Sequence, residues 1–131
     1  MNIKVADKAV QYTLCNATGT SNTVYIAALP PNRYPIAYYA RVKTAFAGTT
    51  GMFVEVGVVG DTTRFMPKQP INRAGDLLPG NKYGNTGFCP SQFTDQQPKA
   101  GAQQDVIATF RGAALASLSA GEIEFVFVYA I

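Results

Sequence analysis

The side chains that could do chemistry in this sequence are carboxylates, lysines and two cysteines, because the 131 residues include no histidine. Histidine is the usual general base and the commonest metal ligand in proteins. Its absence excludes a serine–histidine triad, a cysteine–histidine nucleophile and a histidine-based metal site. Carboxylate or lysine chemistry is what remains.

Eight carboxylates are spread along the chain: Asp7, Glu55, Asp61, Asp76, Asp95, Asp105, Glu122 and Glu124. Glu122 and Glu124 are two residues apart, so on a strand they share one face and could form an acid–base pair or part of a calcium site. Charges on an edge strand also keep it from pairing with foreign strands, and we favour that structural interpretation. For Asp61, which follows Gly60, the simplest role is to cap a turn through backbone amides.

Two other motifs have structural explanations. Gly57 and Gly60 enclose the sequence GVVG, which lacks the Gly-Lys-Ser/Thr of a phosphate-binding loop, so we predict a bulge and a hairpin turn there. Cys15 and Cys89 form no CxxC pair; we expect two buried thiols, with a disulfide as the alternative. We therefore expect no metal, no cofactor and no enzymatic activity.

Charge and composition restrict the classes of partner. The chain is 47% apolar and 15% charged, which predicts one folded domain over residues 1–131 whose surface is partly covered by a partner. Its eleven lysines and arginines are scattered singly and the net charge is +3, so we expect no direct nucleic-acid binding. No secretory signal is visible, and the longest apolar run, Phe125–Ile131, is too short to cross a membrane. We expect a soluble protein made in the cytoplasm, without membrane contact.

The elements that must position these residues have the period of β-strands. Residues 38–46 and 52–58 alternate apolar and polar or small side chains, and the short glycine-containing segment 47–51 predicts that they pair as a hairpin. Residues 122–131 place three aromatics and two isoleucines on one face; the other face turns apolar along its length. We expect a central strand covered on both sides at its far end.

Five further segments complete the predicted fold. We predict strands over residues 9–15, 22–29 and 104–110. For residues 1–8 we predict either a first strand or an arm that reaches a neighbouring molecule. The sequence GAALASLSAG, residues 112–121, suits one or two helical turns. The predicted fold is all-β: an antiparallel, jelly-roll-like β-sandwich with at most a short helix.

Residues 67–101 depart from this rhythm, with five prolines, five glycines and no convincing strand. Structureless connections of this length are usually functional or stabilised by partners, so we predict a long loop that makes contacts. Tyrosine is enriched in protein interfaces, and Tyr34 and Tyr83 lie in predicted loops. The interface candidates are Tyr34, Arg73, Leu77, Leu78, Tyr83, Phe88 and Phe93.

The block RVKTAFAGTTGMFVEVGVVGDTTRFM, Arg41–Met66, resembles small structural proteins encoded in the head gene clusters of tailed bacteriophages. The shared pattern is a valine-rich strand ending in TAF, a Gly-Thr turn, a second strand with a V-VG centre, then GD and an R-F pair. The close, SAGEIEFVFVYAI, is similar too, so the resemblance covers about half the chain in two blocks. The matching positions are Val42, Thr44, Ala45, Phe46, Gly48, Thr49, Val54, Val56, Gly57, Gly60, Asp61, Arg64, Phe65, Gly121 and Tyr129.

The resemblance implies a head decoration or cement protein that binds the major capsid protein on the outside of the virion and associates with itself, with a trimer favoured. It carries over no catalytic residues. Two alternatives stay open: a carbohydrate- or receptor-binding module of a head fibre or tail, for which Tyr34 and Tyr83 are candidates, and an enzyme using Glu122 and Glu124.

Overall fold

The computed structural model describes residues 3–31, 35–77 and 102–130, which form eight β-strands and two short helical turns. A four-residue α-helix, α1 (Tyr12–Cys15), follows the first strand, and a 3₁₀ turn at Leu115–Ser117 precedes the last one. The strands are β1 (Ile3–Gln11), β2 (Ser21–Leu29), β3 (Pro35–Ala47), β4 (Phe53–Val58), β5 (Asp61–Pro70), β6 (Gly75–Asp76), β7 (Gln104–Arg111) and β8 (Ala120–Ala130).

The strands lie in two four-stranded antiparallel sheets that pack face to face. The first sheet has the order β1-β8-β3-β6, and the second has the order β2-β7-β4-β5. This alternation of the chain between two sheets is the double Greek key of a jelly roll. The predicted all-β sandwich is confirmed.

The core forms where the inward faces of β8 and its neighbours meet the second sheet. Ile123, Phe125, Phe127 and Tyr129 are buried, as their alternation predicts. The ring of Phe127 meets that of Phe65 edge-on, with centroids 5.2 Å apart. β8 lies between β1 and β3, so its predicted central position is also confirmed.

The predicted hairpin between the third and fourth strands is wrong. β3 pairs with β8 and β6 in the first sheet, whereas β4 pairs with β5 and β7 in the second. The connection therefore crosses the sandwich. Gly48 allows this with a φ of 108°, and the backbone around Ser117 approaches it so closely that a Cβ there would lie 2.2 Å from the Ser117 carbonyl oxygen.

β4 instead forms its hairpin with β5 through a turn at residues 59 and 60. The register between the two strands shifts twice, so β5 carries extra residues opposite β4. A Cβ on Gly57 would lie 2.2 Å from the carbonyl oxygen of Asp61, which shows that the bulged strand approaches the Gly57 backbone. The bulge and turn predicted for GVVG are confirmed.

The described strands extend into the long loop that the sequence predicts over residues 67–101. β5 runs through Pro67 to Pro70, which an edge strand tolerates because one side of its backbone needs no partner. Ile71 is fully buried, and its N–H donates to the carbonyl of Met52. The described fold continues to residue 77, and residues 78–101 are the part of the predicted loop that lies outside the described residues.

The N-terminal region also differs from its prediction. Of the two alternatives for residues 1–8, residues 3–8 belong to a first strand, β1, that pairs with β8. The strand predicted over residues 9–15 ends at Gln11, and residues 12–15 turn into α1, whose Cys15 side chain is buried. The predicted helix at residues 112–121 is reduced to the single 3₁₀ turn.

Candidate interaction surface

The seven interface candidates fall into two groups. Tyr34, Leu78, Tyr83, Phe88 and Phe93 lie outside the described residues. Arg73 is exposed in the connection between β5 and β6. Leu77 is only 9% exposed, packs with the core and donates its N–H to the carbonyl of Ala40. Burial in its own fold accounts for Leu77 without any partner.

The described chain stops and resumes at one end of the sandwich, which we call the loop end. β2 ends there at Leu29, beside the start of β7 at Gln104, and β3 begins there at Pro35 beside Tyr129 of β8. The chain leaves residue 77 in the direction of the same end, because β6 runs antiparallel to β3. Residues 32–34 and 78–101, which contain five of the seven candidates, therefore both connect to the loop end.

The opposite end is closed by backbone hydrogen bonds among three loops, residues 16–20, 48–51 and 112–119. The N–H of Gly112 donates to the carbonyl of Thr20, and that of Leu115 donates to the carbonyl of Gly19. The N–H of Ala114 donates to the Thr49 hydroxyl at 2.8 Å. These three loops contain no charged residue. Their structure is fixed by the chain itself.

The carboxylates of Glu122 and Glu124 do not form a reactive pair. They lie on the central strand β8, so the interpretation that they protect a sheet edge is wrong. Glu124 lies 3.9 Å from the ammonium group of Lys43, and both side chains face solvent on the outer face of the first sheet. Within the described ranges, no group of three cysteine or acidic side chains could hold a metal ion.

Glu55 is the buried carboxylate of the described fold, 4% exposed on the outer face of the second sheet. The Arg111 Nε–H donates to one of its oxygens at 2.8 Å, and the Thr62 hydroxyl donates to the other. Burial alone would raise the pKa of Glu55, but these hydrogen bonds and the charges of Arg111 and Lys68 outweigh it and lower the pKa. A general acid needs a raised pKa, so this carboxylate is a structural ion-pair member.

Cys15 is a free thiol that points into the core. Burial raises its pKa to about 12, so the thiolate that would act as a nucleophile or metal ligand is not formed near neutral pH. The predicted buried thiol is confirmed for Cys15. Cys89 lies outside the described residues.

The sequence patterns did not reveal one apolar feature, which lies on β1. Ile3 and Val5 are 53% and 56% exposed on the outer face of the first sheet. They lie opposite Ala130 and Val128 of β8 in the strand register, so the apolar half of that face is not covered by described residues. The prediction that the far end of β8 is covered on both sides is not met by the described fold itself. The alternation of Ile3 and Val5 with lysines was the available signal.

Three solved structures share this fold. One is the capsid asymmetric unit of cyanophage Pam1, with a TM-score of 0.64 and 16% identity over 98% of this chain and 84% of the matched chain. The second is the acid-stable capsid of Helicobacter pylori bacteriophage KHP30, with a TM-score of 0.56 and 10% identity over 98% of this chain and 87% of the matched chain. The third is the capsid of Ralstonia phage GP4, with a TM-score of 0.56 and 17% identity over 97% of this chain and 84% of the matched chain. The fold is that of chains found in phage capsids.

The sequence itself matches no protein-family model and no curated protein. At 10% to 17% identity, the structural likeness establishes the fold. No described helix is long and apolar enough to cross a membrane.

Proposed function

We propose that this chain is a virion structural protein that binds the outer surface of a phage head, as a decoration or cement protein, and stabilises it. The observation that carries this proposal is the likeness of its fold to chains of three phage capsids. The matched chains are covered over 84% to 87% of their length, so they are only slightly longer than this one. The likeness is between whole small chains, which favours an accessory subunit of the shell.

The loop end is the part of the sandwich that meets the major capsid protein in this proposal. The two internal segments outside the described residues, 32–34 and 78–101, connect there, and they carry Tyr34, Leu78, Tyr83, Phe88 and Phe93. Aromatic side chains of this kind dominate binding energy at protein interfaces. Arg73 adds an exposed cation in the connection before β6.

Self-association strengthens such binding, and a trimer is the state that we propose. A phage shell offers the same binding site many times, so modest affinity per copy is sufficient. Linking several copies makes the later binding events intramolecular and raises the overall affinity without new contacts. Light scattering of the purified protein measures this directly, and a monomer at micromolar concentration would contradict the trimer.

Co-sedimentation with purified phage heads that lack this protein tests the function. We expect the intact chain to sediment with the heads, and a variant in which a Gly-Ser linker replaces residues 78–101 to stay in the supernatant while it remains folded. The deletion stops at residue 78 because Ile71 and Leu77 belong to the core. A matched control, Thr18→Glu with Thr20→Glu at the opposite end, should bind as the intact chain does.

Two results would contradict the proposal. An intact chain that stays in the supernatant at saturating concentration would exclude head binding, and a deletion variant that sediments fully would exclude the loop end as the contact.

The alternative function for such a sandwich is that of a receptor- or carbohydrate-binding module. Glycan binding that is lost in Tyr34→Ala or Tyr83→Ala, without head binding, would favour this alternative.

A further inference from the structure

Among the edge strands of the described fold, β1 has the most regular backbone. β6 has two residues, and β5 contains two prolines and shifts its register against β4 twice. β2 shifts its register against β7 between Tyr25 and Ala27. β1 pairs with β8 over nine consecutive residues without a shift and contains no proline. Such an edge offers a row of backbone donors and acceptors to which another strand can add.

The outer face of β1 is apolar at its start, where Ile3 and Val5 lie, and becomes polar at Asp7, which lies opposite Val126. Ile3 and Val5 are more than half exposed, and the half-buried Val126, Val128 and Tyr39 continue the apolar surface across the outer face of the first sheet. An added strand would place every second side chain beside Ile3 and Val5. Apolar residues at those positions would bury this surface.

The other face of β1 is turned toward the second sheet; Val10 on it is fully buried, and two lysines lie on it nearer the start of the strand. Lys4 and Lys8 share it, with Ala6 between them, and neither lysine makes an ion pair or hydrogen bond with the rest of the described chain. Lys8 is half-buried, so its charge lies close to the strand edge. Lysines at an edge repel most strands, but they select a strand that carries carboxylates at the facing positions.

We propose that β1 is the acceptor edge for an extended segment of a head-shell subunit in which apolar residues alternate with aspartate or glutamate. The segment adds to the first sheet as a fifth strand, with its apolar side chains beside Ile3 and Val5 and its carboxylates beside Lys4 and Lys8. The identity of the donor rests on the proposed function; the chemistry of the segment rests on β1 alone.

A blocked ten-residue peptide of alternating glutamate and valine tests the edge without any phage particle. Titrated into the ¹⁵N-labelled chain, it should shift the amide resonances of β1, and the shifts should weaken as salt rises. A lysine–valine peptide should not bind. In the Lys4→Glu, Lys8→Glu variant the preference should reverse. Shifts located elsewhere, equal binding of both peptides or no binding of either would overturn the proposal.

Head binding then tests the donor. The Lys4→Glu, Lys8→Glu variant should bind heads at least tenfold more weakly than the intact chain, whereas Lys68→Glu, a single charge reversal on edge strand β5, should bind within twofold. Thermal unfolding of each variant checks that it is folded. If the intact chain and the β1 variant bind equally, this inference fails and the proposed function stands; if the intact chain does not bind, the proposed function fails and the peptide titration still decides the chemistry of β1.

Discussion

Replacing Gly121 by alanine should place a methyl group against the ring of Phe46. A Cβ at this position would lie 2.4 Å from Cδ2 and 2.5 Å from Cγ of that ring, far inside the contact distance of non-bonded carbon atoms. The ring is 3% exposed and packs against Phe110 with centroids 5.9 Å apart, so it cannot move aside without displacing its neighbours. Gly121 also has a φ of 144°, which side-chain-bearing residues rarely adopt.

The expected cost has two parts. Overpacking of a core costs about 1–3 kcal/mol, and an unfavourable backbone conformation costs about 1–3 kcal/mol, so Gly121→Ala should lower the free energy of unfolding by about 2–6 kcal/mol. Gly75→Ala is the matched control, because Gly75 has a φ of 133° and no atom within 4 Å of an added Cβ. That control isolates the backbone part. Equilibrium unfolding in urea measures both.

A double-mutant cycle tests whether the ring causes the effect. Phe46→Ala should cost about 3–5 kcal/mol in the natural sequence, and clearly less in the Gly121→Ala background, because removing the ring relieves the clash. The reasoning is refuted if the two changes add within about 0.5 kcal/mol. It is also refuted if Gly121→Ala costs no more than Gly75→Ala.

Three further predictions concern single side chains. Because the pKa of Glu55 is lowered in the folded state, the contribution of this carboxylate to stability is present above its ordinary pKa and is lost as the pH falls through the folded-state pKa. The free energy of unfolding of Glu55→Gln should therefore fall less steeply below about pH 5 than that of the natural sequence. An unchanged slope would contradict this. In a Cys89→Ser background, Cys15 should react with a thiol reagent at pH 8 only as fast as the chain unfolds, and rapid native-state labelling would show that the thiol is accessible. Phe125→Ala should cost about 3–5 kcal/mol in urea unfolding, and a loss below ~1 kcal/mol would mean that its ring is not in the core.

The strands that the sequence predicts well are those buried on one face. β8 shows why: its inward residues from Ile123 to Tyr129 are large and apolar, so a period of two is visible over that part of the strand. β2 and β7 follow the same rule, with boundaries within one residue of the prediction. β5 was missed in part because its prolines mimic a loop, although an edge strand accommodates them.

The sequence predicted which segments form strands better than it predicted how those strands pair. The connection after β3 is short enough for a hairpin, but hydrogen bonds to distant parts of the chain carry it across the sandwich: the Phe46 N–H donates to Ile71, and the Ser119 N–H donates to Ala47. No local pattern reports such contacts. The edge position of β1 was hidden for a similar reason, because only the sheet order shows that β1 has one neighbour among the described strands.

For the proposed binding site, the sequence identified a segment but not its full geometry. The loop predicted from the composition of residues 67–101 begins too early, because β5 extends to Pro70 and the described fold continues to residue 77. Leu77 looked like an exposed loop residue because its burial depends on β6 pairing with β3, a contact between residues more than thirty positions apart. Long-range pairing decides which loop residues face solvent.

The most direct test of the central claim is a cryo-electron microscopy reconstruction of the phage head in the presence and absence of this protein. We predict additional density on the outer surface of the shell that fits the eight-stranded sandwich, with its loop end toward the shell and a strand from a shell subunit against β1. Density inside the head or on the tail, or no difference between the two reconstructions, would contradict it.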